Sequence, residues 1–277
     1  MIKVVLVRLD GSAGDEFRLE ATESLATLFG AHVIGLFLNV LPAPSLVEPS
    51  LSLELWTGLM EQAREEGRKR EAILRQRLSG LGPSTEMRRY DVYEHERALV
   101  TARECRIADV FVGLRLSDVD KTVELHDVIE EVLFQSGRHL FLAADQRTFD
   151  AGFEHAMIAW NGSREAARAV TEALPYLEKS LRVTVLFIER GGAPPSRMKD
   201  GYELVTYLGR HGINAMLRIV DERGSDFCAT LIAETVEGAV DLLVMGGYGH
   251  ARLREWLLGG ITYRLLRKSS VSLVIAH

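Results

Sequence analysis

Short apolar runs recur along the chain at residues 2–9, 32–38, 108–113 and 139–144, with a more polar run at 86–92. Between them lie stretches whose apolar side chains return every three or four positions. In residues 15–29, for example, Leu19, Thr22, Leu25, Ala26 and Phe29 share one side, and Gly30 follows as a stop. The same period predicts helices over 53–78, 95–106 and 128–135, with Pro42, Pro44 and Pro49 marking a loop before the first of these. Buried-strand runs that hand over repeatedly to helices mean a parallel α/β sheet wound on both faces. Residues 145–152 are polar and irregular, and then the pattern restarts. Strands are expected at 156–160, 181–188, 213–220, 241–245 and 271–276. Helices are expected at 164–177, through Leu204 and Leu208, at 225–237 and at 263–268.

The restart is a repeat that can be followed by register. Asp10-Gly11-Ser12 after the first strand is answered by Asn161-Gly162-Ser163, 151 residues on. Asp109 and Asp241 lie 132 apart, and residues 128–143 fall over 261–276 without a gap at an offset of 133. Leu133/Leu266, Ser136/Ser269, Leu140/Leu273 and Ala143/Ala276 are identical in that register. The first half carries about 19 extra residues between its first and fourth strands, placed by this reading in the Pro-containing loop and long helix. The expected organisation is two domains, 1–144 and 153–277, each a doubly wound, mostly parallel five-stranded sheet. A final edge strand leaves unpaired backbone groups, so the two final strands, 139–144 and 271–276, are expected to cover each other as an intramolecular pseudo-dimer.

Composition narrows the function. The chain of 277 residues is 47% hydrophobic and 26% charged, which supplies ample core. A net charge of −6 with a pI near 5.8 excludes a general nucleic-acid binder, for no basic stripe offsets the acidity. The basic cluster at 64–77 is interleaved with Glu65, Glu66 and Glu71, as on a solvated helix face. Cys105 and Cys228 cannot make a disulfide framework and fall in amphipathic helical patterns, so a reducing cytoplasm is expected. With a strand expected from residue 2, no signal peptide is expected, and no apolar run approaches a membrane span.

The stretch with chemistry in it follows the apolar run Asp241–Met245. Gly246-Gly247-Tyr248-Gly249 comes first, and after nine further residues Gly259-Gly260-Ile261-Thr262 leads into helical spacing. Glycines admit backbone N–H groups close to an anion, and the dipole of a following helix favours negative charge. Arg252 and Arg254 add positive charge. The stretch is neither a Walker A loop nor a G-x-G-x-x-G opening on a first strand. The spacing G-x2-G-x9-G on the fourth strand–helix unit resembles the nucleotide loop of the universal stress protein family. Gly260 stands where that family usually has Ser or Thr, and the hydroxyl returns at Thr262. Two such halves in one chain resemble the tandem type of the family, with an adenine-nucleotide α-hydrolase-like, Rossmann-like fold.

That resemblance implies a ligand, ATP or AMP with or without Mg, held by the second half. Carried over position by position, Ala159 and Asn161 would meet adenine and ribose, with Ile188 and Met245 as apolar neighbours of the base. Gly246, Gly249, Gly259, Gly260, Ile261 and Thr262 would hold ribose and phosphates, and His250 would be a solvent-facing phosphate contact. Asn161 departs from the family's aspartate and offers no charge to a metal; its plainer reading is a helix N-cap. Ser163 reads as a turn hydroxyl. In the first half no second glycine follows Gly113, and the gapless register sets His126-Asp127 against Gly259-Gly260. Neither a general base nor a metal-holding carboxylate is readable in the second half, so turnover beyond slow ATP hydrolysis is not expected. The expected role is a nucleotide-responsive stress or signalling factor acting through a protein partner, with room for a homodimer. Two rivals stand beside it: an ATP-using α-hydrolase-type enzyme, and a structural dimer whose glycine loop is empty.

Overall fold

The computed structural model describes residues 1–43, 53–115, 123–144, 149, 151–189, 195–222, 226–247 and 261–277, with 123–126, 195–198 and 261–263 described as backbone. Ten strands and eight helices lie among them. The chain divides into two compact units, one built on Ile2–Gly113 with Val123–Arg138, the other on His139–His277.

In the first unit β1 (Val4–Leu9), α1 (Gly14–Phe29), β2 (His32–Val40), α2 (Leu53–Ser79), β3 (Thr85–Val92), α3 (Arg97–Cys105), β4 (Val110–Leu114) and α4 (Val123–Gln135) alternate as expected. Its strands run in the order β3-β2-β1-β4, and the β1–β2, β1–β4 and β2–β3 pairs are parallel. The second unit holds β5 (His139–Ala143), β6 (Phe153–Ala159), α5 (Arg164–Leu177), β7 (Ser180–Glu189), α6 (Pro195–Arg210), β8 (Ala215–Asp221), α7 (Phe227–Glu237), β9 (Leu242–Gly246), α8 (Ile261–Lys268) and β10 (Ser272–Ala276). Its order is β5-β10-β9-β6-β7-β8. Only the β5–β10 pair there is antiparallel, joining Leu142 to Leu273, Phe141 to Val274 and Leu140 to Ile275. The two final strands are therefore neighbours. By sequence the repeat boundary is expected at 145–152, whereas β5, encoded before it, is assembled into the second unit's sheet. Phe141 packs there against Phe149, Phe153 and Tyr176, its ring stacked on Tyr176 with centroids 5.7 Å apart.

The repeat is visible in polar staples as well as in strands. Asp109 Oδ2 accepts the backbone N–H groups of Lys3 and Val4, and Asp241 accepts those of Glu154 and His155 in the same way. Ser136 Oγ accepts the Arg138 N–H, as Ser269 Oγ accepts that of Val271. Glu104 on α3 is buried against Arg88 of β3, and Glu234 on α7 is buried against Arg218 of β8. The extra length of the first half lies between β2 and β3, where α2 has 27 residues against 16 in α6. In α2 the buried Gly67 admits the Asn39 side chain, which a Cβ would meet at 2.4 Å. Strand β6 begins earlier than its apolar run. His155 is buried inside it with Nδ1 donating to the Gly238 carbonyl and Nε2 near Thr184 Oγ1, each at 2.8 Å, so a polar residue serves as core.

Candidate functional site

Strand β6 lies between β9 and β7. The chain leaves β6 toward β7 and β8 and then crosses back to β9 on the other side. That reversal opens a crevice at the carboxyl ends of β6 and β9, the place where open α/β sheets take ligands. Ala159 ends β6 and is in register with Met245 of β9 and Leu186 of β7. Ile188, two residues beyond Leu186, shares its face of the sheet. Ala159, Ile188 and Met245 thus form one apolar floor on one face, Met245 buried and the other two half-buried. Trp160 points by the same alternation to the other face, and its Nε1 is buried without a hydrogen-bond acceptor among the described residues.

The turn that follows is built by the two polar residues flanking its glycine. Asn161 is exposed, and its Oδ1 accepts the Ser163 N–H at 3.0 Å, with Gly162 at φ +74 between them. Ser163 is the N-cap of α5, its Oγ accepting the Ala166 N–H at 3.2 Å. The cap is therefore Ser163, and the N-cap reading of Asn161 is corrected: its amide shapes the approach to the helix. In the first unit Asp10 Oδ1 accepts the Ser12 N–H at 2.9 Å around Gly11 at φ +82. There, however, Asp15 is fully buried, accepting N–H groups from Asp10 and Gly11 and pairing with Arg18 at 2.7 Å. Burial and the neighbouring Asp10 push the Asp15 carboxyl up. Burial also works against ionising Asp10, but the Ser12 hydrogen bonds and the Arg18 and Arg8 charges hold it below the usual range.

Gly246 closes β9 against the first turn of α5. A Cβ there would stand 2.6 Å from the Ala166 nitrogen and 2.6 Å from the Glu165 carbonyl carbon, so the α5 backbone would have to shift to admit any side chain. Beyond it the Gly247 N–H donates to the Ala276 carbonyl, and His277 Nδ1 lies 3.0 Å from the Gly247 carbonyl oxygen. His277 is a polar group at this crevice that the sequence reading missed, because nothing in its spacing ties the last residue to β9. Ile261 and Thr262 open α8. Gly249, His250, Gly259 and Gly260 lie outside the described residues. Helix α8 is tied to α7 by Arg264, whose Nη2 is 2.6 Å from Asp226 Oδ2; that contact holds the Asp226 carboxyl below its usual range. No cluster of potential metal ligands exists among the described residues.

The first half differs at the matching place. Helix α4 already begins at Val123, so His126 and Asp127 lie inside it.

No family model matches the chain, and no curated protein matches it. Solved structures do match over its full length. A universal stress protein from Archaeoglobus fulgidus DSM 4304 covers 99% of this chain and is covered over 95% of its own, with 17% identity and a TM-score of 0.72. A functionally unknown protein, PA1789, from Pseudomonas aeruginosa PAO1 covers 99% of this chain and is covered over 92% of its own, with 13% identity and a TM-score of 0.60. The fold, from the first strand to the last, is that of these proteins.

Proposed function

We propose that this chain is a tandem universal stress protein whose second unit binds one adenine nucleotide, ATP or AMP, and that it acts as a nucleotide-responsive stress or signalling factor rather than by turnover. The observation that carries the reading is the apolar floor of Ala159, Ile188 and Met245 at the switch point, directly before the G-x2-G-x9-G stretch. The base would lie on that floor, and the phosphates would go to the glycine stretch and the N-terminus of α8. Asn161 Oδ1 is engaged by its own turn and carries no charge, so a magnesium ion would be held by the phosphates.

One observation favours the rival of an empty glycine turn: Gly246 is already required by α5, with or without a ligand. Thermal denaturation separates the two readings. A ligand at a hundred times its Kd stabilises the native state by about 2.7 kcal/mol. ATP or AMP is expected to raise the melting temperature, with GTP raising it less. No shift at millimolar adenine nucleotide, together with no co-purified nucleotide by mass spectrometry, would leave the empty turn standing.

A further inference from the structure

The two units exchange large and small residues at the centre of the crevice. On the floor of the second unit Ala159 of β6 stands beside Met245 of β9. In the first unit β1 pairs with β4 through Val7 and Val112, as Ile158 pairs with Val244, so the next residues in line are Arg8 and Gly113. Ala159 is thus answered by Arg8, and Met245 by a glycine with no side chain. The third floor position follows the same register: Arg8 is level with Leu36 as Ala159 is with Leu186, which sets Leu38 against Ile188. Exposure differs accordingly. Arg8 and Leu38 are each 6% exposed, whereas Ala159 and Ile188 are half-buried. At the floor position where the second unit has a methyl group, the first unit has a long, buried guanidinium side chain.

We propose that this one strand position decides which unit accepts a nucleobase: Arg8 fills the base site of the first unit from within, and Ala159 vacates that of the second. The proposal rests on the nucleotide reading above and adds its selecting residue. A guanidinium is planar and cationic, so its presence in a nucleotide crevice would strengthen attraction to phosphate if charge alone mattered. Occupation of the base site predicts the opposite sign.

The test is Ala159→Arg in the full-length chain, titrated calorimetrically with ATP beside wild type, with circular dichroism and melting as controls for folding. Wild type is expected to bind one ATP per chain, and Ala159→Arg to lose affinity by about a hundredfold or more, despite its added positive charge. Ala159→Leu, which adds bulk without charge, is expected to show the same loss and serves if the arginine variant does not fold. Unchanged or tighter binding by both variants beside a binding wild type overturns the proposal alone. No binding by wild type overturns the nucleotide reading and the proposal with it. Two ATP per wild-type chain also overturns it, since Arg8 would then exclude nothing.

Discussion

Two residues of the second unit bear on how tightly it is built. Gly246 reads in the sequence as part of an anion cradle, yet its lack of a side chain is demanded by the first turn of α5 at 2.6 Å. Gly246→Ala is expected to destabilise the protein by about 1–3 kcal/mol through overpacking. In urea denaturation without nucleotide the midpoint should fall; an unchanged midpoint would show that α5 yields freely. His155 is the second. Its burial disfavours the charged ring and Arg182 adds to this, so its pKa lies below the usual 6.5 in spite of the Gly238 carbonyl and Asp241. The unfolded chain then takes up the proton first as pH falls. The contribution of His155 to stability is whole above about pH 6.5 and is lost as pH falls through the depressed value. His155→Gln is expected to be less stable at pH 7.5 and to show a smaller further loss at pH 5.5 than wild type. Equal losses in the two proteins would assign the acid sensitivity elsewhere. Neither role is legible in sequence, for both depend on what a distant helix or loop brings within hydrogen-bond or contact distance.

At the level of elements, period and punctuation located nearly every strand and helix. The misplacements trace to polar residues that break the apolar period. The buried His155 hid the start of β6, and the polar start of α4, which begins at Val123, hid its first five residues. The switch point at β6 was not legible, because a repeat and right-handed crossovers leave the strand order open. The floor was recoverable from the resemblance alone, since Ala159 and Ile188 carry no chemistry of their own. The ion pairs Arg88–Glu104 and Arg218–Glu234 were not foreseen, though each joins residues in the same register of the two halves. They tie the outermost strands, β3 and β8, each to a helix. Glu234 is 2% exposed while the Arg218 side chain is 52% exposed, so solvent screens part of the pair. Arg218→Met is accordingly expected to cost about 1–2 kcal/mol, below the figure for a fully buried pair. Chemical denaturation reads this directly, and a cost under a few tenths of a kcal/mol would mean the pair is ornamental.

For the whole molecule the consequential element is β5. Phe141, fully buried in the aromatic cluster with Tyr176, belongs by sequence to the first repeat and by packing to the second unit. Phe141→Ala is expected to cost about 3–5 kcal/mol. Hydrogen exchange should show the loss in β10 and β6 amides, while β1 and β2 keep their protection; a loss confined to β1 and β2 would contradict the assignment. The arrangement also sets a timetable for synthesis. Residues Leu140–Leu142 leave the ribosome about 130 residues before their partners Leu273–Ile275 exist. At ~5–20 residues per second the wait is roughly six to twenty-six seconds. During that interval the nascent chain carries an apolar strand whose β10 partner has not been made, an open edge on which another nascent chain could pair.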